Sequence, residues 1–215
     1  MWLQELWRYP VKSMAGERLE QAELTDQGVA GDRVVHVEDE RGRVLTARSK
    51  WRLLGHHATL GPDGEPLVDG RRWRSPEVAA DVERAAGAGA RLELYDGPDE
   101  RGRFDILPLL VATDGAIAAF GRDRRRLRPN LVVGGLSGLE ERTWEGRRLR
   151  IGPVLIGIQD LRARCVMTTY DPDTLEQDMG VLADIRRRFD GSLALNCRVL
   201  APGTIAVGDP VELLD

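Results

Sequence analysis

A chain of 215 residues with 42% hydrophobic residues, 31% charged residues and a formal net charge of −4 has the composition of a globular protein, long enough to bury a core as one large domain or two small lobes. Two cysteines exclude a disulfide framework, a four-thiolate zinc and a built-in iron–sulfur cluster, while arginines interleaved with acids and sparse aromatics set nucleic acid aside as a partner. The opening MWLQELWRYPVKS has no sustained apolar run, so neither a signal peptide nor a membrane span is expected and a cytoplasmic protein is predicted.

Short strand-type runs separated by turn residues dominate the chain. GDRVVHVE (Gly31 to Glu38) and RVLTAR (Arg43 to Arg48) alternate and are joined by a DERG turn. PLVDGRRW carries Asp69-Gly70, suited to a two-residue hairpin. Ser75 is placed to cap a helix in SPEVAADVERAA, with Pro76 in its first turn. The Gly/Ala-rich and then charged stretch from Ala85 to Arg103 suggests a boundary, giving lobes 1–88 and 89–215. TDGAIAAFGRDRRRL reads as a helix from Thr113 or Asp114 with Arg124 to Arg126 in its last turn. TWEGRRLRIGPVLIGI reads as a hairpin about Glu145-Gly146, and VLADIRRRF as a helix with Val181, Leu182, Ile185 and Phe189 on one face. VLAPGTIAVGDPVELL closes the chain as two strands joined through glycine turns. The fold class is mainly β with a few helices (α+β), and the close hairpins suggest a barrel or sandwich.

Of the 31 lysines and arginines only Lys12 and Lys50 are lysine. A lysine kept against that bias invites a chemical reason, because an ammonium does not replace a guanidinium. Lys12 follows Pro10 in YPVKS and suits either a phosphate contact or a surface position with its stem buried. Arg128 precedes Pro129 in RLRPN, which favours an extended backbone there. Its guanidinium suits an oxyanion clamp, or Arg122 to Arg128 form a solvated helix end. Cys165, in ARCVMTTYDPDT, follows an apolar strand and two arginines, Arg162 and Arg164. Positive charge there favours a thiolate able to act as nucleophile or soft metal ligand, and the plainer alternative is a small buried hydrophobe. Cys197 keeps that plainer reading. Thr168, Thr169 and Asp171 offer hydrogen-bonding lining or an N-cap. Adjacent His56 and His57 would face opposite sides of a strand and are assigned no role.

Five stretches taken in order, YPVKS, GDRVVHVEDERGRVLTAR, RLRPNLVV, RCVMTTYDPDT and APGTIAVGDPVEL, resemble the MOSC domain family, named after the C-terminal domain of molybdenum cofactor sulfurase and including the mitochondrial amidoxime-reducing component. The resemblance implies a MOSC β-barrel preceded by a smaller β-rich N-terminal lobe, with the molybdenum cofactor between them. It implies Cys165 as the protein ligand to molybdenum and the catalytic cysteine. It places pterin and phosphate contacts on Lys12, Ser13, Arg33, Thr113, Arg128, Pro129, Asn130, Thr168 and Thr169. Met14 stands where many relatives have cysteine, Leu175 replaces a glycine frequent after DPDT, and Thr113 and Asp114 stand where serine and glutamate are common. The implied activity is a molybdenum-dependent oxidoreductase that removes oxygen from N-hydroxylated compounds. The alternatives are sulfur transfer through a Cys165 persulfide, with any pyridoxal phosphate chemistry left to a separate partner protein, and a non-catalytic cofactor carrier. With one of two cysteines assigned to molybdenum, no plant-type cluster can be built, so a separate electron donor protein (ferredoxin, flavodoxin or cytochrome-type) is expected. Arg122 to Arg128 and Arg186 to Arg188 are its candidate landing sites, or solvated helix ends.

Overall fold

Strand-type alternation along most of the chain produces a mainly β, α+β structure, seen in a computed structural model that describes residues 1–95 and 103–215. The first half runs β1 (Trp2–Arg8), β2 (Glu17–Leu19), β3 (Gln21–Thr25), β4 (Gly28–Val29), β5 (Val35–Glu38), β6 (Val44–Leu45), β7 (Ala58–Leu60), β8 (Pro66–Val68), β9 (Arg71–Arg72), α1 (Pro76–Ala86) and β10 (Arg91–Leu94). The second runs β11 (Leu109–Thr113), α2 (Asp114–Phe120), β12 (Leu131–Gly134), β13 (Arg148–Ile151), β14 (Val154–Ala163), α3 (Met179–Phe189), β15 (Ser192–Ala201), β16 (Gly203–Ala206) and β17 (Val211–Leu214).

An eight-stranded sheet in the order β17-β13-β14-β15-β11-β12-β1-β2 forms the scaffold. Its one parallel pair is β11 with β12, and parallel neighbours need a crossover. Helix α2 and the 3-10 turn Arg124–Arg126 supply it. Leu3, Leu6, Leu131, Ile156 and Leu195 lie at the centre of the core behind this sheet. A second core gathers Val35, Leu53, Trp73, Val78 and Val82 beneath the sheets β10-β5-β6 and β7-β8-β9. A third joins α2 to α3 through Phe120, Leu127, Ile185 and Phe189. Burying Val181, Leu182, Ile185 and Phe189 on one face of α3, as its spacing predicts, contributes on the order of 6–12 kcal/mol before chain entropy is counted.

The expected barrel is not closed. Among the described residues the strand ladder ends at β17 and β2. Its curl nevertheless brings the two sides together, because Trp2 bridges Pro210 and Leu3 N–H donates to the Asp209 carbonyl at 2.8 Å. Three register irregularities along β14 and β15 supply the bend, since an extra residue on one strand increases local twist. Three-residue β2 is too short to complete a ladder.

Local expectations divide in the same way. Ser75 caps α1 by accepting from Val78 N at 3.3 Å, and the Asp69-Gly70 hairpin forms with both residues at positive φ, 49° and 76°. The second helix is shorter than its sequence suggests: α2 stops at Gly121, φ 69°, and Asp123 then opens the separate turn that contains Arg124 to Arg126. Glu145-Gly146 is a turn but not a hairpin loop, because residues 140–143 before it coil into a 3-10 turn. The two-residue hairpin instead falls at Gly152-Pro153, between paired Ile151 and Val154. The closing strands part company, β16 pairing with β3 and β17 with β13. His56 and His57 do not lie on a strand: His56 ends a 3-10 turn and pairs with Asp69 at 2.8 Å, and His57 Nε2 lies 3.0 Å from the Gly16 carbonyl. The suggested boundary stretch Ala85 to Arg103 includes residues 96–102, which lie outside the described residues.

Candidate functional site

At one edge of the large sheet β1 and β14 end while β11 and β12 begin, and the segments that leave them line a cleft. Lys12, Ser13, Arg33, Arg128, Asn130 and Cys165, six of the residues singled out from the sequence, line it. Cys165 sits just beyond the end of β14, at the head of the 3-10 turn Val166–Thr169, and its thiol makes no capping bond to that turn. It is partly exposed, whereas Cys197 is buried in the core, where burial pushes its thiol pKa far up.

Backbone conformation marks the same place. Seven non-glycine residues among those described have positive φ, and three of them line the cleft: Ser13 at 73°, Arg33 at 50° and Arg128 at 56°. Such conformations cost roughly 1–2 kcal/mol each for a side chain with a Cβ and concentrate where surroundings over-determine them for function. For Arg128 this corrects the extended backbone expected before Pro129. Proline keeps its predecessor out of the right-handed helix, and the chain takes the left-handed region as it leaves the Arg124–Arg126 turn.

The Arg128 guanidinium lies 4.4 Å from the centroid of Tyr9 and makes no ion pair among the described residues; burial lowers its pKa. Arg33 stacks more loosely on the same ring, at 5.3 Å, and is paired with the fully buried Asp32. Asp32 Oδ1 also accepts from Tyr9 N at 2.7 Å, which ties the end of β1 to the arginine. Tyr9 OH donates to the Pro129 carbonyl at 3.0 Å. Arg164 donates to the Leu127 carbonyl at 2.7 Å, and its buried Nε has no partner among the described residues. Burial, reinforced by the charge of Arg162, brings its pKa down to about 10.

Asp105 is an unexpected member. Its Oδ1 lies 3.3 Å from Lys12 Nζ, and its Oδ2 accepts from Arg48 and Arg162, each at 2.8 Å. Burial alone would raise its pKa, but Lys12, Arg48 and Arg162 together hold it below the usual carboxylate range. Burial would lower the Arg48 pKa, but the charge of Asp105 and then the nearby Cys165 raise it. Nothing in the sequence near Asp105 or Arg48 singles them out. Arg162 and Arg164 are legible because alternate residues of a strand share a face.

Thr113, Pro129, Thr168 and Thr169 are not in the cleft lining. Thr113 is buried, caps α2 by accepting from Ala116 N at 3.1 Å, and donates to Glu141 at 3.0 Å. Thr168 donates to the Cys165 carbonyl at 2.9 Å and Thr169 to the Val166 carbonyl at 2.7 Å, so both shape the turn behind the cysteine. Pro129 is buried and offers its carbonyl to Tyr9. Asn130, though lining, uses its side chain to accept from Leu110 N at 3.2 Å and to donate to the Trp7 carbonyl at 3.3 Å, binding β1, β11 and β12 together. The arginine-rich segments are largely paired already: Arg125 with Asp123 and Asp173, Arg126 with Asp171, and Arg187 and Arg188 with Asp184. That pairing removes much of the free positive charge a landing site for an acidic donor needs.

A second cavity adjoins the first and shares Arg126, Arg128 and Met167 with it. Trp7, Leu54 and Tyr170 are among its walls. Among the described residues no group of three or more His, Cys, Asp or Glu side chains could hold a metal ion by itself. The arginines and lysine that line the cleft suit an anionic ligand. Among the same residues no helix is long and apolar enough to cross a membrane.

Comparison with known proteins agrees on both halves of the chain. The MOSC N-terminal beta barrel domain matches residues 1–86 and the MOSC domain residues 117–212. The chain is 25% identical to mitochondrial amidoxime-reducing component 1 of Homo sapiens, covering 98% of this chain and 82% of that one. It is 28% identical to mitochondrial amidoxime reducing component 2 of Macaca fascicularis, covering 79% and 67%. In fold it is similar to the YUAD protein from Bacillus subtilis, with a TM-score of 0.54 at 13% identity over 99% of this chain and 98% of that one.

Proposed function

This chain belongs to the MOSC domain family, and from that premise we propose that it is a molybdenum-cofactor-dependent oxidoreductase that removes oxygen from N-hydroxylated compounds. The observation that carries the reading is the convergence of an accessible thiol, Cys165, with three strained residues, Ser13, Arg33 and Arg128, on one cationic cleft. Lys12 and Arg128 would hold the pterin phosphate, and Ser13 and Arg33 would line its seat. Cys165 would give the metal its single protein donor, a soft thiolate. Thr168 and Thr169 would fix the turn that presents the thiol, with Thr113, Pro129 and Asn130 fixing the strands around it. The cofactor supplies a centre able to accept an oxygen atom and exchange two electrons.

In the net reaction the substrate's N–O bond breaks, two electrons and two protons are taken up, and the oxygen leaves as water. The electrons come from a separate donor protein in this reading. The second cavity offers the substrate's carbon skeleton an apolar seat next to Arg128 and Met167. The same reading divides the chain into an N-terminal lobe, 1–88, and a MOSC domain, 89–215, although β1, β3 and β5 of the first lobe pair with β12, β16 and β10 of the second.

Purification from a host that makes the cofactor tests the proposal. Molybdenum and pterin at about one per chain are expected, with amidoxime reduction by a chemical reductant and none by NAD(P)H alone. Metal without turnover would make the protein a carrier. Sulfane sulfur on Cys165 without metal would make it a sulfur-transfer protein.

A further inference from the structure

Two segments that wall the second cavity come from opposite halves of the chain and are fastened to each other. Leu54 belongs to the 3-10 turn Trp51–Gly55, and Tyr170, Asp171 and Pro172 open the loop that follows the Cys165 turn. That loop is closed on itself. Tyr170 bridges Gln177, Asp171 N–H donates to the Glu176 carbonyl at 2.9 Å and Leu175 N–H to the Asp171 carbonyl at 3.0 Å, so residues 170–177 behave as one piece. On one flank Arg125 donates twice to Asp173, at 2.8 and 2.6 Å, and Arg126 donates to Asp171 at 2.8 Å. On the other flank Trp51 stacks on Tyr170, with centroids 5.5 Å apart and planes 8° from parallel. Leu175 lies beside this stack against Gly55, where a Cβ on residue 55 would stand 2.8 Å from Leu175 Cδ1.

The two flanks hold the loop unequally. The Arg125–Asp173 pair is open to water, where ion pairs add little. Stacked rings tolerate a range of offsets, so Trp51 alone does not fix where Tyr170 stands. Leu175 does. Its φ is 60°, a left-handed conformation that disfavours any side chain with a Cβ and a leucine above all, since it has no polar group to bond locally. What offsets that strain is the seat over Gly55, which fills the space a side chain at residue 55 would take. Strain held by tertiary contacts beside a ligand cavity points to a role for the side chain that bears it.

We propose that Leu175 is a positioning residue that sets substrate size: seated on Gly55, it bolts the 170–177 loop to the Trp51–Gly55 turn and keeps the wall between Leu54 and Tyr170 shut. The cavity then admits compact N-hydroxylated compounds and rejects those whose carbon skeleton extends past that wall. The inference deepens the proposed function and rests on it for the seat of the carbon skeleton in the second cavity. A fixed apolar wall discriminates single methylenes by about 10- to 200-fold, whereas a wall free to part discriminates far less.

The test uses the full chain purified from a host that makes the cofactor, with benzamidoxime as the compact probe and 4-butylbenzamidoxime as the extended one. The parent is expected to favour benzamidoxime at least about tenfold in kcat/KM, and Leu175→Gly to bring the two within about threefold. Leu175→Asn, which also tolerates a positive φ, should narrow the ratio likewise and covers the case in which glycine leaves the loop too loose to fold. A contact that served stability alone would lower the unfolding midpoint and both rates in proportion. An unchanged ratio in the folded variants therefore overturns the inference, as does a parent that handles the two probes equally or favours the longer. Binding of the same two compounds without reductant, followed by NMR titration, reads the ratio apart from turnover. A binding ratio that narrows in Leu175→Gly, in a protein that reduces neither compound, leaves the size filter standing while the reductase reading falls. Absence of both binding and turnover with either probe overturns the two together.

Discussion

Arg128 offers the sharpest separation of binding from stability, because its backbone is strained and its side chain makes no ion pair among the described residues. Its φ of 56° costs a residue with a Cβ roughly 1–2 kcal/mol. Its guanidinium, 4.4 Å from the Tyr9 ring, returns about 0.5–2 kcal/mol as a cation–π contact. Arg128→Ala loses the contact and keeps the strain. Arg128→Gly loses the contact, relieves the strain, and loses roughly 0.5–1 kcal/mol to the greater freedom of glycine in the unfolded chain. The glycine variant should therefore be at least as stable as the alanine variant, by about 0.5 kcal/mol, with both within about 2 kcal/mol of the parent. Anion affinity should behave otherwise. A charge-assisted contact contributes about 1.5–3 kcal/mol, so both variants should bind methyl phosphate roughly 10- to 150-fold more weakly. Urea unfolding measures the first quantity and titration of the cofactor-free protein the second. Alanine more stable than glycine at this position would refute the strain argument. Undiminished phosphate affinity in both variants would remove Arg128 from the anion site.

Two further outcomes follow from the same geometry. Cys165→Ala should abolish amidoxime reduction while the protein stays folded, because the thiol lies at the cleft and makes no capping bond. Cys197→Ala, in the core, should lower the unfolding midpoint and leave turnover per folded molecule unchanged; full turnover by Cys165→Ala would end its assignment as metal ligand. Burial pushes the Tyr9 phenol from 10.0 up to about 12, so the unfolded chain ionises first. Its stabilising contribution is whole below pH 10 and is lost as pH rises through about 12, on the order of 2–3 kcal/mol. Tyr9→Phe should flatten that alkaline decline in stability, measured by urea unfolding across the range, and an identical slope would show that Tyr9 is not its source.

The sequence by itself determined the elements whose causes are local. Ser75 with Pro76 fixes the start of α1, Asp69-Gly70 fixes a two-residue hairpin through its positive φ, and the spacing of Val181, Leu182, Ile185 and Phe189 fixes the buried face of α3. It also made the candidate site residues visible, since one of only two lysines, an arginine beside a proline and a cysteine at a strand end can be picked out without coordinates. Tertiary structure decided what depends on distant pairing. The sheet stays open because β2 is short and β17 joins β13, and β16 leaves its sequence neighbour for β3. Asp105 meets Lys12, Arg48 and Arg162 only because β1, β14 and β11 bring their ends to one edge. Asn130 and Thr113, chosen as ligand contacts, have side chains that hold strands and a helix end together. Strand order is set by burial shared among residues far apart in the chain, and an ion cluster assembled from four separate segments leaves no periodicity in the sequence to read.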